Sequence, residues 1–234
     1  IIQDNFMHDF DISISSHCNA SCPSCKRFPD FWDATVNPNQ QLHHNLNQIH
    51  MSFDDFKSII LRNSHNFIDK NVMFEGELGD PMVNPEIKKF IDFGCEIFKK
   101  LSIVTNGGNR KSNFYFNLGK TYKNLEMTFS IDGLNDDTNQ IYRKRVNTEK
   151  ALENMIAFSK SKYGYKKTYW QFLVFEHNFF EIPEVLDFAK KYDIMVYIKI
   201  NQRPKFKISS KRLSIAKNLY VKNKNNRSEF LFAN

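Results

Sequence analysis

Three of the four cysteines in this 234-residue chain lie within eight positions of one another. Cys18, Cys22 and Cys25 follow the pattern C-x3-C-x2-C in the stretch HCNASCPSC. Thiols this crowded form a poor disulfide framework, and they favour metal binding or redox chemistry instead. The spacing therefore predicts a metal centre, and the next question is which metal it holds.

A structural zinc ion takes four protein ligands, usually as two pairs. The fourth ligand would have to be Cys95, which we predict to be a small buried residue on a helix, or a nearby histidine. The nearby histidines are His17, His43, His44 and His50. Three thiolates alone can instead hold a [4Fe-4S] cluster and leave one iron open to another ligand. The residues favour the cluster and keep zinc as the weaker alternative.

Strand-like and helix-like segments alternate along the chain. Short runs rich in β-branched and aromatic residues predict six strands, with amphipathic stretches between them. The predicted strands are 10–15, 71–76, 101–107, 125–133, 169–175 and 194–200. This alternation predicts an α/β fold whose parallel sheet forms an open, partial (βα)6 barrel. Functional side chains in such folds lie at the carboxyl ends of the strands, and the three cysteines follow the first strand.

Five motifs, one at or after each of five successive strands, resemble those of the radical S-adenosylmethionine (SAM) enzymes. More narrowly, the cysteine motif resembles the branch that often carries a further SPASM or twitch domain. The motifs are the cysteine pattern, GELGDP at 76–81, TNG at 105–107, SIDGLNDDTNQIYRKR at 130–145 and FEHNFFEIPEVLDFAKKYDI at 175–194, which contains Asn178. The resemblance covers residues 8–203, although a simple β-turn at 79–81 is an alternative explanation of the second motif.

The resemblance implies that Cys18, Cys22 and Cys25 hold a [4Fe-4S] cluster and that SAM binds beside it. The residues that it implies as SAM contacts are Gly79, Asp80, Thr105, Asn106, Ser130, Asp132, Arg143 and Asn178. Gln171, within the fifth strand, is predicted to face the barrel interior as a further ligand contact.

The sequence departs from the family pattern at three places. Asp80 stands where the family usually has Glu, but a shorter carboxylate can still accept a hydrogen bond from an ammonium group. Pro23 stands where an aromatic residue often packs near adenine, so the adenine contact differs. No cysteine follows Cys95 in this sequence, so by ligand count we expect no second, auxiliary cluster.

The resemblance implies an enzyme that cleaves SAM reductively at the cluster and makes a 5'-deoxyadenosyl radical, which abstracts hydrogen from a substrate. A peptide or protein is the first candidate substrate, and a nucleotide or small metabolite is the next. The reaction would need an external electron donor such as a flavodoxin or ferredoxin. A non-catalytic protein that binds a cluster and SAM is the alternative from another class.

Positive charge is concentrated at the end of the chain. The formal charge is +7, and residues 204–234 hold eight Lys and Arg residues against Glu229 alone. We therefore predict a core domain over 1–203 and a basic helix and tail over 204–234. The stripe predicted to dock that helix comprises Ile208, Leu213, Ile215, Ala216 and Leu219. The basic face is either solvated or binds an acidic partner such as nucleic acid, and the chain beyond Tyr220 is expected to be loose.

No run of about 18 apolar residues is present, so we predict no membrane span. No signal peptide is visible, and the expected location is the cytoplasm. The stretch 28–50 is long, rich in Asn and without helical or strand periodicity. A loop of that length is usually functional or mobile.

Overall fold

A computed structural model describes residues 8–28, 47–201 and 207–231 of the chain. In these residues, seven strands form one all-parallel sheet in which the spatial order is the order along the chain. The strands are β1 (Phe10–Ile12), β2 (Asn71–Phe74), β3 (Lys100–Thr105), β4 (Leu125–Ser130), β5 (Thr168–Val174), β6 (Met195–Ile200) and β7 (Ser228–Leu231).

Helices connect the strands. They are α1 (Phe53–Arg62), α2 (Ser64–Phe67), α3 (Ile87–Ile97), α4 (Ser112–Thr121), α5 (Asp136–Tyr142), α6 (Thr148–Ser159), α7 (Ile182–Lys191) and α8 (Ser210–Asn223). Ser52 caps α1 by accepting a hydrogen bond from the Asp55 backbone N–H at 3.1 Å, as the Ser-x-x-Asp pattern predicts.

The two faces of the sheet differ in chemistry because successive strand residues point to opposite faces. The face covered by helices is apolar, and its largest side chains, such as Phe74, Phe129, Trp170 and Phe172, are fully buried. The other face is polar in the middle of the sheet, where Ser102 lies opposite Glu126 in register. The hydrophobic core therefore lies between the sheet and the helices. The opposite, concave face of the sheet is not part of this core.

The predicted α/β fold with a parallel sheet is confirmed, and the barrel is open because β1 and β7 are the two sheet edges. The prediction of a loose chain beyond Tyr220 is wrong for residues 221–231. Helix α8 continues to Asn223, and β7 pairs in parallel with β6. The Tyr220 hydroxyl also donates to the Ser228 carbonyl at 2.8 Å, which fixes β7 to the helix.

Helix α8 packs against α7, and its docking differs in one residue from the predicted stripe. Ala216 is fully buried, whereas Ile215 is 40% exposed and does not belong to the buried stripe. Arg212 forms an ion pair with Glu176, which ties the start of α8 to the loop after β5. The division of the chain at 203/204, and a role of the basic segment in partner binding, stay predictions.

Most of the predicted 28–50 loop, together with His43 and His44, lies outside the described residues. Among the helices of the described segments, none is long and apolar enough to cross a membrane.

The histidine that follows β5 predicts a pH dependence of stability. Burial lowers the pKa of His177, whose ring stacks on Phe175 at a centroid distance of 5.0 Å. Between the lowered pKa and the ordinary value near 6.5, the unfolded chain binds more protons than the folded one, so stability falls as pH falls. We expect the urea midpoint of the cluster-free protein to drop from pH 7.5 to pH 5.5, and His177→Phe to reduce that drop. An unchanged drop in His177→Phe would contradict this assignment.

Candidate functional site

A cavity of about 510 Å³ opens at the carboxyl ends of the strands. Its volume lies in the range of about 300–1,000 Å³ that is typical of small-molecule sites. The predicted site residues that line it are Cys18, Cys22, Cys25, Gly79, Asp80, Thr105, Asn106, Ser130, Arg143 and Gln171. Asp132 and Asn178, which were also predicted, are fully buried beneath it and do not line it.

The three predicted ligand cysteines line this cavity, and none of them forms a disulfide in the described part of the chain. The Cys18 sulfur accepts hydrogen bonds from the Ala20 backbone N–H at 3.3 Å and from Asn106 Nδ2 at 3.6 Å. Burial, and next the charge of Asp80, raise the pKa of Cys18 to about 12. Without a cation, this thiol therefore stays protonated at neutral pH.

A bound cluster would change the protonation state of Cys18, because a thiol that coordinates a metal is deprotonated. The donors aimed at the Cys18 sulfur fit a thiolate ligand, since hydrogen bonds to cluster sulfurs help to set cluster properties. Cys22 likewise has a hydrogen bond from the Arg143 side chain. In the described residues, no group of three His, Cys, Asp or Glu side chains is arranged to hold a metal ion. The donor set thus fits the cluster by its chemistry.

Asp80 joins the ends of β2 and β3. Its carboxylate accepts hydrogen bonds from the backbone N–H groups of Met82 at 2.9 Å and Asn106 at 2.8 Å. The Thr105 hydroxyl lies 3.0 Å from both carboxylate oxygens. Burial raises the pKa of Asp80, and these hydrogen bonds oppose the rise. The carboxylate therefore shapes the cavity wall as well as lining it.

Gly79 is required by a close approach of two backbone segments. A Cβ at this position would lie 2.1 Å from the Ser15 carbonyl oxygen, and this distance is too short for any side chain. The approach lets the Asp80 backbone N–H donate to the His17 carbonyl at 2.8 Å. The segment just before the cysteines is thereby fixed to the wall that carries Asp80.

Arg143 and Asp132 form a buried ion pair below the cavity. Arg143 Nε lies 2.6 Å from Asp132 Oδ2, and the two side chains are 14% and 0% exposed. Burial opposes the charge of Arg143, but Asp132 and then Cys22 outweigh it and raise its pKa. The other Asp132 oxygen accepts from the Leu173 backbone N–H at 2.8 Å. The pair thus connects a cluster-ligand candidate to the end of β5.

Asn178 stabilises the same region from beneath. Its amide donates to the carbonyls of Asp132 and Leu173, both at 2.8 Å, and its oxygen accepts from the Phe175 backbone N–H at 2.7 Å. The Asn178 side chain therefore makes these three hydrogen bonds within the protein itself. Its direct contact with SAM stays a prediction from the resemblance.

Lys199 is the main lining residue that sequence reasoning missed. Its Nζ donates to Gln171 Oε1 at 2.6 Å, and Gln171 Nε2 lies 3.5 Å from the Ser130 hydroxyl. Burial lowers the pKa of Lys199, and Glu75 nearby opposes that shift. Both Lys199 and Glu75 line the cavity. The alternation of β6 places Lys199 on the same face as Tyr197, but the sequence gives no sign that this face lines a cavity.

The contacts of Asp80 predict a loss of both stability and ligand affinity when it is removed. Asp80→Ala leaves the backbone N–H groups of Met82 and Asn106 without their acceptor, and an unsatisfied buried donor costs about 1–3 kcal/mol. We expect a lower urea midpoint and SAM affinity reduced about tenfold or more. Calorimetric SAM titration of the reconstituted protein tests this, with the exposed carboxylate change Glu153→Ala as the control. Wild-type affinity in Asp80→Ala would contradict the assignment.

Comparisons with known proteins place the fold. Neither the known protein-family models nor the curated proteins match this sequence. SuiB from Streptococcus suis, bound to SAM, matches 96% of this chain with a TM-score of 0.68 and 16% sequence identity. The anSMEcpe structure with bound AdoMet matches 91% of it with a TM-score of 0.65 and 17% identity.

This chain covers 50% of the SuiB chain and 56% of the anSMEcpe chain, so it spans about half the length of the structures that it matches. At this level of identity the likeness concerns the fold. It agrees with the resemblance that the motifs indicate, since both structures contain bound SAM. The described part of this chain therefore has the fold of the radical SAM enzymes.

Proposed function

We propose that this protein is a radical SAM enzyme that binds a [4Fe-4S] cluster through Cys18, Cys22 and Cys25 and cleaves SAM in the adjoining cavity. One observation carries the proposal. The three cysteines, selected by their spacing, open on the same 510 Å³ cavity as seven of the residues selected as SAM contacts by later motifs or by position. Those seven lie after or within four different strands, so their convergence supports one shared site.

A bound cluster would supply the electron for reductive cleavage of a carbon–sulfur bond of SAM, which would give methionine and a 5'-deoxyadenosyl radical. The chain's own residues bind and orient. Arg143 presents a cation at the cavity, held in place by Asp132, and a guanidinium suits the methionine carboxylate. The carboxylate of Asp80 and the amide of Asn106 offer acceptors for the ammonium group.

We propose a peptide as the substrate. SuiB has been crystallised with its precursor peptide SuiA, and anSMEcpe with AdoMet and a peptide. The cavity also extends beyond the predicted SAM contacts, since its lining includes Lys199 on β6 and Asn201 just after it, where a substrate could bind. Electrons would come from an external donor protein, such as a flavodoxin or ferredoxin.

Anaerobic reconstitution with iron and sulfide, followed by SAM and dithionite, tests the proposal. We expect 5'-deoxyadenosine and methionine in equal amounts, measured by liquid chromatography. A protein that takes up iron and binds SAM but gives no 5'-deoxyadenosine would instead support the non-catalytic alternative. A protein that takes up one zinc ion and no iron would overturn the proposal.

A further inference from the structure

A second cavity, of about 170 Å³, lies on the concave face of the sheet and adjoins the first. The two cavities share four lining residues, which are Glu75, Val104, Gln171 and Lys199. Deeper in, the second cavity is lined by Ser102 and Thr128 from β3 and β4. It is thus a pocket beside the larger cavity, on the same face of the sheet.

The polarity of this pocket is unexpected for a sheet interior. Branched apolar side chains usually fill the inside of an α/β barrel. Here the inward positions carry hydroxyl, amide and charged groups, and polar groups buried without partners destabilise the fold. Binding of a ligand would explain why polar side chains occupy these inward positions.

Buried polar atoms in this pocket lack a hydrogen-bond partner among the residues that the structure describes. Ser102 is only 6% exposed, and its hydroxyl is one such atom. Nδ1 of His8, another lining residue, is a second. Both atoms can be satisfied by a polar guest. The volume suits about six waters or one short side chain, since a water takes about 30 Å³ in the liquid.

Positive and negative charges are balanced in and beside the pocket, and this balance favours one class of ligand. Lys199 and Glu75 lie together at its entrance, and Glu126 deeper in forms an ion pair with Lys100 at 3.4 Å. An acidic guest would meet Glu75 and Glu126, and a basic guest would meet Lys199. A neutral guest with both donors and acceptors suits a mixture of ammonium, carboxylate and hydroxyl groups.

We propose that this interior pocket binds a short, uncharged polar group of the substrate, a carboxamide or an alcohol, next to the SAM cavity. This rests on the function proposed above for the larger cavity. The pocket would select substrates by the side chain that precedes or follows the reacting position. Lys199 and Gln171, which line both cavities, would orient that side chain toward SAM.

Acetamide is a suitable probe because it is a bare carboxamide. In cluster-free protein labelled with ¹³C at methionine methyls, the Met73 signal reports on the pocket, which Met73 lines. We expect acetamide to shift this signal saturably, with acetate and methylammonium at least about tenfold weaker. A pocket that holds only water would give no saturable shift, and tighter binding of acetate or methylammonium would equally overturn the proposal.

Two variants keep the test interpretable. Ser102→Leu fills the pocket and should abolish the acetamide shift, and Thr128→Val keeps the volume but should weaken binding several-fold. The matched control Thr121→Val makes the same change on the exposed part of α4 and should bind acetamide normally. Wild-type binding in both pocket variants would place acetamide elsewhere and overturn the proposal.

The cluster-free measurement involves no SAM chemistry, so its outcome is independent of the proposed activity. In reconstituted protein, saturating SAM should leave acetamide bound. Displacement of acetamide by SAM would assign the pocket to SAM and overturn its assignment to substrate. Acetamide binding without any SAM cleavage would instead count against the proposed activity and leave the pocket's ligand class standing.

Discussion

Reconstituted Cys22→Ala is expected to lack the brown chromophore, to hold almost no iron and to form no detectable 5'-deoxyadenosine. Two thiolates do not hold a site-differentiated cubane cluster, whereas the wild-type chain should bind about four iron and four sulfide. Iron analysis, the visible absorption spectrum and chromatographic product analysis measure the three effects. Without the cluster, the electron that starts the reaction has no path to SAM.

Cys95→Ala is the matched control because it removes the one cysteine outside the motif. Cys95 lies on α3, away from the cavity, and burial raises its pKa to about 12. A protonated thiol packed against the core behaves as a small apolar residue. We expect Cys95→Ala to keep the full iron content and to lose only a little stability.

Two results would contradict the ligand assignment. Loss of iron in Cys95→Ala would make Cys95 a ligand and would revive the four-ligand zinc alternative. Full iron content in Cys22→Ala would exclude Cys22. Far-UV circular dichroism of both cluster-free variants shows whether either change merely unfolds the chain.

The sheet could be predicted from the sequence where strands carry strong patterns. All six predicted strands are present, because runs such as YWQFLVF combine aromatic and β-branched residues with clear turn signals. Strand β7 was missed because SEFL is short and lies in a polar segment. Its pairing depends on the free edge of β6, which is a tertiary feature that local sequence does not contain.

The site could be predicted where residues of distinctive chemistry directly follow a strand. Motifs after β1, β2 and β3 all contribute side chains to one cavity. Lys199 and Glu75 were missed because a charged residue near a strand end gives no sign of which face is hollow. Asp132 and Asn178 are the opposite case, since motif likeness selects them as SAM contacts. In the structure both are fully buried, and their hydrogen bonds stabilise the segment around the end of β5.

Arg143→Ala is expected to lower the free energy of unfolding by about 3 kcal/mol and to weaken SAM binding at least tenfold. Removing one partner of a buried ion pair leaves the other charge uncompensated, which typically costs about 3–5 kcal/mol. Here the remaining charge would be Asp132, whose side chain has no exposure. Urea unfolding of the cluster-free protein and calorimetric SAM titration of the reconstituted protein measure the two effects. Arg145→Ala, which removes an exposed cation two residues away, should change neither.

The double variant Arg143→Ala with Asp132→Asn separates the two roles of Arg143. Neutralising Asp132 removes the uncompensated charge, so the double variant should regain part of the stability that Arg143→Ala loses. It should not regain SAM affinity, because no guanidinium is left to meet the methionine carboxylate. Stability losses that simply add would show that the 2.6 Å pair is not coupled energetically. Restored SAM affinity would mean that Arg143 acts only by compensating Asp132, and the proposed contact with SAM would then be wrong.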